Sequence, residues 1–230
     1  MSTMPFYVAP EQIMKDRSEY ARKGISRGKP VVALEYVDGI LFIADNPSTH
    51  LHKISEVYDR IAFAGVGKYS EFENLRIAGV RMADVRGYSY GREDVTVKAV
   101  ANAYSQVLSD IFTREMKPYE IEILVAQVGE GAEENELFHI LFDGSVTDQS
   151  GFVAMGGESE ILGNALSGTY RENMTLEEAV GTGVQALSTV NGGTLEPARV
   201  EAAALDRTRR GRRKFRRLGV EDIERILSAG

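Results

Sequence analysis

The chain of 230 residues carries 27 basic and 34 acidic side chains for a formal net charge of -7, and its 43% hydrophobic content suffices for a substantial core in one folded unit. Zero cysteines exclude disulfides, thiolate metal sites and a cysteine nucleophile. With no apolar run long enough to span a bilayer and no cleavable signal pattern at the start, the chain reads as a soluble protein of the cytoplasm, away from membranes.

Taken in order, the first element is a helix from Pro10 to about Lys23, with Pro in its first turn, apolar positions at Ile13, Met14, Tyr20 and Ala21, and Gly24 as a left-handed C-cap. Strands Val31 to Tyr36 and Ile40 to Ala44 follow, joined across Val37-Asp38-Gly39 as a tight hairpin. Val57 to Ala64 reads as a third strand. A capping box of Ser70 with Glu73 opens a helix whose face is Phe72, Leu75, Ala78, Gly79 and Met82. A second helix, from near Asp94, carries Val97, Val100, Ala101, Tyr104, Leu108 and Ile111 and stops before Pro118. Glu122 to Val128 and Leu137 to Phe142 form another strand pair around the polar loop Gly129 to Asn135, and Phe152 to Met155 is a short strand ending at Gly156-Gly157.

Two further helices are expected. One is capped by Ser159 and faces inward through Ile161, Leu162, Ala165 and Leu166. The other is opened by a box of Thr175 with Glu178 and uses Leu176, Val180, Val184 and Leu187. Val200 to Leu205, a basic strand and a helix from about Val220 to Leu227 complete the order. Strands in two groups with helices in pairs give a mixed α and β architecture of stacked sheets covered by helices on both outer faces.

Several candidate sites fail on their own chemistry. Gly65-Val66-Gly67-Lys68-Tyr69-Ser70 lies between strand and helix, where a phosphate loop belongs, but Ala62 and Tyr69 break the nucleotide pattern and Ser70 replaces the third glycine of the dinucleotide one. His50 and His52 alternate like strand neighbours, yet with His139 as the one remaining histidine a zinc site needs carboxylates from distant loops. The acids Glu130, Glu133, Glu134 and Glu136 read as a solvated turn. No cofactor or metal is expected.

The segment from Arg207 to Arg217 holds eight basic residues and no acid, so the rest of the chain has an excess of 15 negative charges. Such a run can bind nucleic acid through phosphates. Phe215 and Leu218 also suit a turn and a short edge strand whose arginines discourage edge pairing, and the acidic remainder repels a polyanion.

The first helix and hairpin, together with Ser18-Glu19-Tyr20-Ala21-Arg22-Lys23-Gly24, Asn46-Pro47-Ser48-Thr49 and Arg86-Gly87-Tyr88-Ser89-Tyr90, resemble the α subunits of actinobacterial proteasomes, from about Phe6 to Leu227. The resemblance implies an α+β fold, the four-layer αββα sandwich shared with N-terminal nucleophile hydrolases. Catalytic relatives open the first strand with a freed threonine, whose amine serves as base for its own hydroxyl. Here Lys29 holds that position and precedes Pro30, while Asp45 matches the buried acid of those relatives. Ser2, exposed as a terminus on removal of Met1, lies far ahead of the strand.

By resemblance, then, no residue is catalytic. The implied function is that of a non-catalytic α subunit in intracellular protein degradation. Copies form a homo-heptameric ring on a ring of catalytic β subunits, with residues 10–230 as a single domain and residues 1–9 as a gating segment over the pore. The gate residues are Pro5, Phe6, Tyr7, Val8 and Ala9. Gly28, Lys53 and Gly67 match the pocket that receives the C-terminal tail of an activator, either a ring-shaped AAA ATPase or an ATP-independent one. The substrates are unfolded proteins. Two other readings stand beside this one: a self-processing amidohydrolase of the same fold, and a nucleic-acid-binding protein acting through residues 207–217.

Overall fold

The computed structural model describes residues 9–229, so Pro5, Phe6, Tyr7 and Val8 of the expected gate, and Ser2, lie outside the described residues. Helix α1 runs Pro10–Ile25. It is followed by strands β1 (Val31–Tyr36), β2 (Gly39–Asp45), β3 (Ile54–Tyr58) and β4 (Ile61–Gly67), helices α2 (Tyr69–Ser89) and α3 (Val97–Arg114), and strands β5 (Ile121–Gln127), β6 (Glu136–Ile140), β7 (Val146–Gln149) and β8 (Phe152–Met155). Helices α4 (Ser159–Thr169) and α5 (Leu176–Asn191), strands β9 (Val200–Asp206) and β10 (Phe215–Leu218), and helix α6 (Val220–Ala229) complete the order.

All strand pairs are antiparallel, in two sheets of order β10-β9-β2-β1-β8 and β3-β4-β5-β6-β7. Strand alternation sends one side chain set into the space between the sheets and the other outward under helices. Val31, Ala33, Ile40 and Phe42 meet Ala62, Ala64, Leu124 and Ala126 in the central layer. On the outer face of the first sheet, Val32, Leu34, Leu41 and Ile43 pack under Leu162 and Leu166 of α4 and Val180, Val184 and Leu187 of α5. On the outer face of the second, Phe63, Ile123 and Val125 pack under Phe72 and Leu75 of α2 and Tyr104 and Leu108 of α3. The expected αββα sandwich is therefore the observed architecture.

Several local expectations give way to tertiary contacts. The strand expected over Val57 to Ala64 is two strands, β3 and β4, turned at Asp59-Arg60, which carry neither Gly nor Pro. Gly24 does not end α1, which continues to Ile25 and is capped by Ser26 in right-handed geometry; a Cβ on Gly24 would lie 2.5 Å from the Glu120 Cβ. Gly39 belongs to β2, paired with Tyr36, so the turn is Val37-Asp38 alone. The Ser70 box is absent: Lys68 is the α2 N-cap and makes no side-chain cap bond, while Glu73 pairs with Arg76 at 2.7 and 2.8 Å. Ala78 is exposed and Ala83 takes its place in the core. Glu158, not Ser159, precedes α4, and Ile161 is exposed. The Thr175 box does form, with Thr175 and Glu178 each accepting the other's backbone N–H. Of the apolar positions of α1, Ile13, Met14 and Tyr20 remain exposed, and Ala21 and Ile25 are its buried residues.

The basic run closes one end of the sandwich. Phe215–Leu218 is the edge strand of its sheet, as expected. Arg213 pairs with Glu56 of β3, Lys214 donates its backbone N–H to Asp59 O at 2.7 Å, Arg207 donates to Gly129 O and Asn135, and Arg216 meets Asp206. Toward the other end of β10, Arg217 donates to Ile54 O at 2.6 Å. These side chains tie the edge of one sheet to the first strand and a loop of the other. Among the described residues only Arg210 and Arg212 of the run make no hydrogen bond or ion pair; Arg213, Arg216 and Arg217 pair with carboxylates and Arg207, Arg209 and Lys214 are held by carbonyl or amide oxygens, so most of the run is anchored on its own chain, which disfavours the nucleic-acid reading.

Candidate functional site

At the pole opposite that turn, the loop before β1, the ends of β2 and β4 and the approach to β3 converge. Gly28 lies against Gly67: a Cβ on Gly28 would stand 2.8 Å from the Gly67 nitrogen. Gly67 has φ +103°, and a Cβ there would run into the Glu120 carbonyl. Both positions therefore need glycine, one for close backbone approach and one also for its left-handed torsion. The backbone of Lys68 completes the junction by donating to Glu120 O at 3.0 Å.

Lys53 belongs to the same pole. Its carbonyl accepts from Gly65 N at 3.0 Å, and its ammonium donates to the carbonyl of Lys29, the neighbour of Gly28. The structure thus brings together Gly28, Lys53 and Gly67. Burial pushes the Lys53 ammonium down to about 8; Asp45 and Glu201 pull it up and Lys29 pushes it further down. The stretch His50 to His52 ahead of it is a loop and not the expected strand end, because Asn46, Ser48 and Thr49 hold the segment in local turns. His52 faces Glu201 at 3.4 Å and His139 faces Glu122 at 2.9 Å, so the three histidines are dispersed. Among the described residues no group of three or more His, Asp or Glu is placed to hold a metal ion.

Asp45, at the end of β2, is fully buried, and Arg199 grips it at 2.8 to 3.2 Å. Lys29 adds an ammonium at 3.3 Å and donates to Asn191 at 3.2 Å. At this strand entrance an acid in a catalytic relative would support a nucleophile. Here it is shared between two cations, and Lys29 supplies neither hydroxyl nor thiol. Beside it opens a cleft of about 380 Å³ lined by Arg27, Gly28, Lys29, Gly157, Glu158 and Asn191 among others. The pole offers ammonium groups and close-lying backbone to a ligand and no acyl-transfer machinery.

Sequence reasoning missed one residue here. Glu201 of β9 accepts the backbone N–H of Lys53 at 2.9 Å and of Ile54 at 3.1 Å, and meets Asn46 at 2.7 Å and Arg217 at 2.9 Å. It stands 148 positions from Lys53, and only pairing between β9 and β2, Ala44 opposite Glu201, brings it there.

Two antiparallel sheets between helix pairs, with Lys29 and the buried Asp45 at the entrance to the first strand, define the layered sandwich of the N-terminal nucleophile class. Residues 25–203 match the family model described as Proteasome subunit, and the chain belongs to that family. It is 55% identical to the proteasome subunit alpha of Thermomonospora curvata over 99% of both chains. The identity is 56% to that of Geodermatophilus obscurus, covering 98% of this chain and 81% of the relative, and 51% to that of Streptomyces coelicolor, covering 100% and 92%. These relatives place the chain among the non-catalytic α subunits of the proteasome, in agreement with Lys29 at the nucleophile position, and disfavour the amidohydrolase reading.

Proposed function

We propose that this chain forms the outer, seven-membered ring of a cytoplasmic proteasome, stacked on a ring of catalytic β subunits, and controls the entry of unfolded proteins. Residues 1–9 close the axial pore: nine residues reach about 30 Å when extended, and Phe6, Tyr7, Pro5 and Val8 supply apolar surface that copies of the same segment can share around a ring axis. Ala9, the residue just ahead of α1, completes that gate. Exposed Ile13, Met14 and Tyr20 give α1 an apolar face to bury against neighbouring subunits.

Gly28, Lys53 and Gly67 receive the C-terminal tail of an activator, an AAA ATPase ring or an ATP-independent assembly. The observation that carries this reading is their convergence at one pole. Two glycines let the loop before β1 pack closely against the end of β4, and the lysine ammonium held beside them is the partner for the tail's terminal carboxylate.

Fluorogenic peptide hydrolysis tests the division of labour. The chain alone, prepared free of β subunits, is expected to cleave nothing, and hydrolysis is expected once a β subunit with an N-terminal threonine is assembled with it. Turnover by the β-free chain that survives Ser2→Ala would overturn the reading.

A further inference from the structure

Glu201 is a buried carboxylate whose oxygens are spent on one short stretch of chain. Oε2 accepts from Lys53 N at 2.9 Å and from the Asn46 side chain at 2.7 Å, and Oε1 accepts from Ile54 N at 3.1 Å and from Arg217 at 2.9 Å. The Asn46 amide also donates to Leu51 O at 2.7 Å, and Arg217 reaches past the carboxylate to Ile54 O at 2.6 Å. The loop from Asn46 to Lys53 is therefore fastened at both ends to β9, the neighbour of β2 in its sheet, in addition to the turns its own side chains make. Without that carboxylate, two backbone N–H groups at the start of β3 lose their acceptor, and the Lys53 side chain loses its fixed origin.

We propose that Glu201 is the positioning residue that holds Lys53 in place to receive the terminal carboxylate of a docking peptide. This rests on the reading of Lys53 given above. Glu201 acts through the backbone, by anchoring residues 53 and 54, and through its charge. The charged groups around the Lys53 ammonium are Asp45 from β2 and Glu201 from β9, which favour its protonated form, and Lys29 from the loop before β1, which opposes it. Arg199 on Asp45, and Arg217 and His52 on Glu201, moderate the two carboxylates. Because burial brings the ammonium down to about 8, peptide binding through it is full at lower pH and declines as pH rises through that value. Loss of the Glu201 charge moves this decline to lower pH, an effect that a merely structural residue would not have.

The test uses assembled particles, with assembly checked by native mass. The probe is the C-terminal octapeptide of the host's ring-shaped ATPase, displayed on a sensor surface with either a free carboxylate or a carboxamide end. Wild-type particles are expected to prefer the carboxylate, and Lys53→Ala to lose about tenfold or more of that binding. Glu201→Gln is expected to weaken it about tenfold near pH 7.5 and to shift its alkaline decline to lower pH. Glu201→Asp keeps the charge on a shorter arm, so it should weaken binding while leaving the pH of the decline unchanged.

Wild-type affinity and an unshifted decline in Glu201→Gln, with binding lost in Lys53→Ala, would overturn the positioning role alone. Unchanged carboxylate preference in Lys53→Ala would overturn the underlying assignment of Lys53. If Glu201→Gln particles do not assemble, the aspartate variant decides, and wild-type affinity there would overturn the proposal.

Discussion

At the scale of single residues, Gly67 at the candidate site and Gly181 in α5 obey opposite rules. Gly67 combines a left-handed torsion with a carbonyl where its Cβ would stand, so Gly67→Ala should destabilise the fold by at least about 1 kcal/mol. Gly181 lies inside α5 with nothing near its Cβ position, so Gly181→Ala should stabilise by about 0.5 to 1 kcal/mol. Urea denaturation of both variants checks the signs, and a shift in the same direction for both would contradict this account. No local pattern distinguishes these glycines in the sequence, since Gly65-Val66-Gly67 reads as a phosphate loop gone wrong. Only the resemblance to α subunits singled out Gly28, Lys53 and Gly67. Glu201 was illegible because its role arises from a strand pairing across 148 positions, and in sequence it is one polar residue beside β9's apolar run.

At the scale of elements, the helices with strong side-chain signals were legible: the Thr175 box and the apolar faces of α3 and α5 appear in the structure where residue spacing put them, except that Phe112 and not Ile111 is buried at the end of α3. Strand boundaries set by tertiary contact were not. Asp59-Arg60 makes a turn because Arg60 donates to Val128 O and Asp59 holds Arg92, contacts that no hairpin motif announces. The polar strand β7, Val146–Gln149, is an edge with little burial and so has no alternation to read. For the N-terminal segment the prediction concerns function. Deleting residues 1–9 leaves α1 intact from Pro10, with its inward contacts through Ala21 and Ile25, so assembly should survive. Peptide hydrolysis by the assembled particle should rise, because entry and not chemistry then ceases to limit it. Unchanged hydrolysis in intact deleted particles would show that these residues are no limiting gate.

At the scale of the whole molecule, the same sandwich that positions a nucleophile in catalytic relatives has been put to structural use. The acid behind the strand entrance is bound by Arg199 and Lys29, the basic run fastens the edge of one sheet to the other, and α1 leaves Ile13, Met14 and Tyr20 exposed. The four-layer plan was legible from the grouping of strands and helices. The ion pairs at its two poles, such as Arg213 with Glu56 and Arg199 with Asp45, were not, since each joins residues distant in sequence. The central claim is that this chain builds a ring and leaves chemistry to its partner, and native mass measurement after co-expression with the β subunit tests it most directly. The account predicts an assembly containing this chain in multiples of seven together with the β subunit, active on peptides only in that form. A chain that stays monomeric beside assembled β subunits, or that enters the particle in another stoichiometry, would contradict it.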